Sequence, residues 1–180
     1  MDARLHIRLL LLLALLVGFF STPATAMQLR ARAEQERRRR GPDAEVRPWA
    51  PYPDSPQLQA YESQADILGY GGEAGGGKSD LLIGTAGEHH RAIIFRREFS
   101  RLEALIDRSR AIFNPDGQAS AKDSYNESLH RWRRRGDRQL HFAAMQYEEN
   151  KFNYQGRPHD FYGFDEATEF SEGQIRFVIG

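Results

Sequence analysis

Residues 65–80 read ADILGYGGEAGGGKSD, and Leu81, Leu82 and Ile83 follow directly. Ala65 to Leu68 is a short apolar run that predicts a strand; the glycines predict a loop, and the apolar residues after Asp80 predict a helix from about Lys78 to Ala86. Gly72, Gly77, Lys78 and Ser79 satisfy the pattern G-x-x-x-x-G-K-[ST]. Its glycines let backbone N–H groups wrap phosphate oxygens, while the lysine and the hydroxyl reach terminal phosphates and a magnesium ion. A flexible linker would also be glycine-rich, but a linker is not bounded by an apolar strand and an apolar helix start.

A phosphate cradle needs an acidic partner, and FYGFDEATEF supplies one. Phe161 to Phe164 is an apolar strand candidate ending in Asp165 and Glu166. One acid can hold magnesium, and the other can polarise the water that attacks a terminal phosphate. The competing reading places both acids in an exposed first helical turn, where the helix dipole favours them. Between the two motifs, RAIIF predicts a strand ending at Phe95, followed by Arg96 and Arg97. Phe99, Leu102, Leu105, Ile106 and Phe113 recur at helical spacing until Asn114-Pro115-Asp116-Gly117 stops them, and Leu140 to Met145 predicts a further strand. Strands separated by helices predict parallel pairing with helices on the faces and ligands at the carboxyl ends of the strands.

The rest of the chain bounds the answer. Its 180 residues are 40% apolar and 28% charged, which fits one ordinary core, and 25 basic residues balance 25 acidic ones. Any nucleic-acid footprint must therefore come from local clustering. Arg131, Arg133, Arg134, Arg135 and Arg138 around Trp132 form such a cluster, readable either as a DNA-tracking surface or as a solvated hairpin or loop. The absence of cysteine excludes disulfides, thiolate zinc sites and a cysteine nucleophile. His89-His90 has no companion at ligand spacing and reads as surface.

Residues 1–26 carry Arg4 and Arg8, an apolar run from Leu9 to Phe20 and Ala24-Thr25-Ala26, the form of a secretory signal; the run is short for a membrane span. Either it is an export signal, or the native start is Met27. Residues 27–56 form a charged, proline-rich arm with an arginine run at Arg37 to Arg40, and residues 57–180 carry the folded pattern.

From Pro56 to Gly180 the chain resembles the ATPase half of the large terminase subunit of tailed bacteriophages. Four segments carry the likeness: PQLQAYESQADILGYGGEAGGGKSDLL, HRAIIFRREFSRLEALIDRS, YQGRPHDFYGFDEATEF and EGQIRFVIG. The resemblance implies a P-loop NTPase, an α/β three-layer sandwich with a mostly parallel sheet, incomplete at its C-terminus because the coupling motif and the nuclease domain of the family are missing. It implies ATP and Mg2+ as cofactors, with Gly72, Gly75, Gly76 and Gly77 in the cradle, Lys78 and Ser79 on phosphates and metal, and Asp165 as the second metal-binding group. Glu166 looks like the catalytic glutamate. Gln57 is similar in position to an adenine-contacting glutamine, and Arg96 or Arg97 is the candidate for an arginine near the nucleotide. The implied partners are double-stranded DNA, a small terminase subunit and a portal protein, with a homo-oligomeric ring in the host cytoplasm. The alternatives are a non-catalytic nucleotide- or DNA-binding prophage remnant and an exported protein in which the glycine loop is incidental.

Overall fold

The computed structural model describes residues 48–73, 75–115, 117 and 123–180. The signal-like segment, Met27 and the arginine run at 37–40 lie outside the described residues. Strand β1 (Arg91–Arg96) is the middle of the fold. Ala92, Ile93, Ile94 and Phe95 are all buried, a continuous apolar run of the kind produced when both faces of a strand are covered. It pairs in parallel with β4 (Arg138–Ala144) on one side and β5 (Phe161–Phe164) on the other. Beyond β4 the sheet continues antiparallel through β3 (Arg131–Arg134) to β2 (Ser124–Asn126), giving the order β2-β3-β4-β1-β5. The fold is therefore α/β around a five-stranded mixed sheet with a parallel core.

Alternation along β1 divides its apolar residues between two cores. Ala92 and Ile94, with Leu140, Phe142 and Trp132, face the helices α2 (Lys78–Ala86) and α3 (Leu102–Phe113). Helix α3 presents Leu102, Leu105, Ile106, Ser109, Ile112 and Phe113 as one buried stripe at helical spacing. Ile93, Phe95, Ala143 and Met145 face the other way, against Phe170, Tyr154 and α4 (Glu172–Ile179) through Ile175 and Val178. The one polar pair inside the first core is satisfied: Trp132 Nε1 donates to Ser109 Oγ at 2.8 Å, and that hydroxyl donates to the Ile106 carbonyl at 2.6 Å.

The expected helix over Lys78–Ala86 is present, and so are the strand at Phe161–Phe164 and the two other expected strands, each within a residue or two of its expected bounds. The strand expected at Ala65–Leu68 is not. That segment is irregular, with Ile67 77% exposed and Leu68 49% exposed. A four-residue apolar run becomes a strand only by pairing, and no strand among the described residues lies beside it. The arginine-rich stretch is a hairpin turning at Gly136 (φ 70°), and its tryptophan is core rather than surface: Trp132 is 2% exposed. Arg134, on the Trp132 side of the hairpin, lies 4.0 Å over the Phe113 ring and donates to the Gly87 carbonyl at 2.7 Å, pinning the end of α2.

The proline-rich stretch also reaches the core. Trp49 packs edge-on against Tyr61 of α1 (Pro56–Tyr61) and lies flat on Gly84 of α2. A Cβ at Gly84 would stand 2.1 Å from the indole, so this helical position must lack a side chain. Gly84→Ala is expected to lower stability by about 1–2 kcal/mol, because the overpacking cost exceeds the ~1 kcal/mol gained in helix propensity. In a Trp49→Ala background the same change should become neutral or stabilising, as read by urea unfolding of all four variants.

His141 of β4 is held mostly inside, and burial together with Arg131, His159, Arg157 and His130 pushes its pKa down to about 4. Its folded form is neutral, so the unfolded chain binds more protons below pH ~6.5. The stability it contributes is complete above that pH and is lost as pH falls toward 4, by roughly 2–3 kcal/mol. His141→Gln should flatten the fall in stability between pH 7 and pH 4.5, measured by thermal unfolding against the parent chain.

Candidate functional site

Parallel pairing of β1 with β5 brings their carboxyl ends to one edge of the sheet. Arg96 closes β1 there, and Asp165 follows β5, its backbone N–H donating to the Phe95 carbonyl at 2.9 Å. Helix α2 runs back across the same two strands, with Leu82 so close to Gly163 that a Cβ there would stand 2.6 Å from the leucine methyl. Its first residue, Lys78, is therefore at the same edge. The link is electrostatic as well: the Lys78 ammonium acts on the Asp165 carboxyl, lowering its proton affinity.

The glycine loop is built for unusual backbone. Gly72, Gly75 and Gly77 have φ of 136°, 84° and 70°, conformations that a side chain strains. Gly77 is fixed twice over, because a Cβ on it would also stand 2.6 Å from the Gln57 side-chain nitrogen. Gln57 is 3% exposed; its Nε2 donates to the Gly77 carbonyl and its Oε1 accepts from the Tyr52 N–H, both at 3.0 Å. The amide thus holds the loop onto the segment before α1, keeping one hydrogen and one lone pair for any further partner. Lys78 curls back into the loop and donates to the carbonyls of Gly72 and Glu73, each at 2.8 Å. Gly77 is the N-cap of α2, so the amides of Lys78, Ser79 and Asp80 have no acceptor within the helix. Asp80, by contrast, is engaged elsewhere, in a two-pronged pair with Arg108 of α3 at 2.6 Å for each contact.

Strand alternation separates the two neighbouring arginines. Arg96 points to the acids: it is hydrogen-bonded to Asp165, and its Nη2 is 3.9 Å from Glu166. Arg97 points to the opposite side and donates to the Glu169 carbonyl at 2.8 Å and to Gln174 Oε1 at 3.3 Å. Asp165 is 8% exposed, and burial holds its carboxyl above the ordinary carboxylate range; Arg96 opposes that shift, Glu166 adds to it, and Lys78 opposes it more weakly. The Nε of Arg96 is buried without a hydrogen-bond partner. Glu166 sits in the left-handed region (φ 54°, ψ 54°) with its side chain half exposed beside Arg96. A non-glycine residue held there costs about 1 kcal/mol, and such strain gathers at positions where a side chain must be aimed.

Of the expected site residues, this edge assembles Gly72, Gly75, Gly76, Gly77, Lys78, Ser79, Arg96, Asp165 and Glu166. Gln57 stands behind the loop as its support, and Arg97 is turned away. Gln174, buried and bonded to the carbonyls of Met145 and Tyr147 at 3.3 and 2.9 Å, was not among the expected residues. The spacing Ser171-x-x-Gln174 is a capping-box signature, and the box is formed, with Gln174 bracing the segment that follows the two acids. Among the described residues no three His, Cys, Asp or Glu side chains cluster as a metal site. A metal here would take few protein ligands, as magnesium does when phosphates and water fill the rest of its shell. No helix among the described residues is long and apolar enough to cross a membrane.

The Arg96–Asp165 pair gives a direct check. Arg96→Met should cost about 3 kcal/mol by leaving a buried carboxyl without its cation. The double variant Arg96→Met/Asp165→Leu should be more stable than Arg96→Met alone, and chemical denaturation of the four-member cycle measures the coupling.

Comparison with protein-family models, with curated protein sequences and with solved structures found no match in any of the three, so the reading of this site rests on its own residues.

Proposed function

We propose that this chain is a P-loop ATPase whose hydrolysis drives movement of double-stranded DNA, the activity implied by its resemblance to the ATPase half of the large terminase subunit. The observation that supports it most is the meeting of the glycine loop and the start of α2 with Arg96, Asp165 and Glu166 at one edge of a parallel sheet. Magnesium ATP would supply the phosphoanhydride whose cleavage releases the energy. The loop amides and the Lys78 ammonium would neutralise the phosphate charge, Lys78 giving up the carbonyls of Gly72 and Glu73 to do so. Ser79 and Asp165 would hold the ion, and Glu166 would orient the attacking water and accept its proton.

Arg96 would change partner in the loaded state. With Asp165 holding the ion, the Arg96 guanidinium, including its unpartnered Nε, would be available to phosphate oxygens. On this reading the nucleotide arginine would be Arg96, with Arg97 as a brace for the segment carrying Glu169 and Gln174. Gln57 would act first as the support of Gly77, and could meet a base only through its remaining amide hydrogen and lone pair. A small terminase subunit, a portal protein and a ring of like subunits in the host cytoplasm belong to the same proposal.

A second reading is favoured by one observation: Lys78 and Asp165 both have partners from within the chain. A non-catalytic remnant that binds nucleotide without turning it over would have the same arrangement. Magnesium-dependent phosphate release separates the two. The full chain should turn over ATP, and Lys78→Ala and Glu166→Gln should each reduce the rate about 100-fold or more. Equal rates in all three would remove the catalytic assignment, whereas a thermal shift with magnesium ATP but no turnover would favour the remnant.

A further inference from the structure

The sheet face that carries Ile93 is divided. Its carboxyl half is covered by Phe170, Tyr154 and α4, while its amino half carries arginines. The register fixes which: Arg131 pairs with His141, which pairs with Ile93, and one step along, Arg133 pairs with Gln139, which pairs with Arg91. Cross-strand partners share a face, so Arg131, Arg133, Arg91 and His141 lie on one side of three adjacent strands. Arg157 and His159, from the loop before β5, join them. Arg131 and Arg157 both act on His141, and Arg131 and Arg91 both act on His159.

What distinguishes these arginines is the lack of a counter-charge. Arg96, Arg101, Arg108, Arg110, Arg134 and Arg176 each sit within 4.0 Å of a carboxylate. Among the described residues Arg91, Arg131, Arg133 and Arg157 have none; the nearby Asp160 has its oxygens on the backbone N–H groups of His90 and Arg91, at 2.9 and 2.8 Å. Arg91, Arg133 and Arg157 are exposed, and Arg131 is half-buried. Gathering cations without acids raises the energy of the free protein, and a polyanion relieves it.

We propose that this face binds the phosphate backbone of duplex DNA, with Arg131, Arg133, Arg91 and Arg157 as the contacting side chains. Alternate residues on a strand are about 7 Å apart and next-but-one strands about 10 Å apart, so the four guanidinium groups cover a patch on a rigid support. The rings carried by these strands are already engaged: Trp132 points into the opposite core, and Tyr162 accepts the His159 backbone N–H at 3.1 Å. Single strands are gripped largely by stacking on aromatic rings, so the patch suits the outside of a duplex. The inference rests on the DNA-motor reading for the identity of the polyanion, and on the arginine rows for its place.

The test is fluorescence anisotropy of the full chain with a labelled duplex, without nucleotide and across a salt series. Arg131→Gln/Arg133→Gln should weaken binding about tenfold or more and reduce the log–log salt slope by about 2. Arg91→Gln/Arg157→Gln, at a strand end and in a loop, should do the same and guards against a folding defect in the hairpin pair. Arg176→Gln, on α4, should leave binding unchanged. The arginine run at 37–40 is common to every variant. Unchanged affinity and slope in both double variants would overturn the proposal, as would wild-type chain that prefers single strands or polyglutamate over duplex. Loss of ATP turnover with duplex binding intact would count against the ATPase alone.

Discussion

Parallel pairing of β1 between β4 and β5 is the constraint from which the rest of the molecule follows. A strand buried on both faces has to be apolar along its length, and β1 meets that demand with Ala92-Ile93-Ile94-Phe95. Because both neighbours run the same way, every residue that follows one of these strands emerges at the same edge. Arg96, Met145 and Asp165 do so, tied in place by the Met145 N–H on the Arg96 carbonyl and the Asp165 N–H on the Phe95 carbonyl. Helix α2 must run opposite to β1 to feed it, so the start of α2 reaches this edge too. The candidate site is thus a consequence of strand direction, and its side chains are chosen by where each strand stops.

The supports behind the site are as specific as the site itself. Gly77 needs both a positive φ and room for the Gln57 amide, and Gly84 needs room for Trp49. Through these two contacts Gln57 of α1 and Trp49 before it grip the start and the last turn of α2. On the other side, Asp80 and Arg108 tie α2 to α3, and Gln174 with Arg97 ties α4 and the Glu169 turn to the ends of β1 and β4. The acids therefore stand between two braced elements, while the partners of Lys78 are carbonyls of its own glycine loop.

Much of this was legible in the sequence where one residue type could do only one thing. The run Phe161–Phe164 ending in two acids, the RAIIF strand, and the glycines before Lys78 each predict their structure locally. What escaped depends on partners distant in sequence. Ala65–Leu68 has strand composition but no neighbouring strand, so it remains irregular and Ile67 is exposed. Strand β3 looks like a solvated arginine run because Trp132 is its one apolar residue, and the arginine that shares its inward side, Arg134, is placed only by Phe113 and Gly87, distant in sequence. The choice between Arg96 and Arg97 rests on which way the end of β1 faces, which sequence alone leaves open. The role of Gln57 as support of Gly77 was hidden because a buried amide has no periodicity to announce it.

Arginine use across the sheet shows how one side-chain type is assigned by its surroundings. Where a guanidinium meets a carboxylate inside the fold, as with Arg96 and Arg134, its charge is consumed in positioning, and the gain is geometric more than energetic because desolvation offsets much of the Coulomb attraction. Arg134 and Arg133 are adjacent on β3, yet one is fixed over Phe113 and the other is exposed without an acid. Strand alternation makes that division automatic: the inward side of the hairpin is spent on α2 and α3, and the outward side keeps its charge. A chain with zero formal net charge can in this way carry a basic face, because acids such as Asp80 and Asp123 are engaged by arginines on the other side of the sheet.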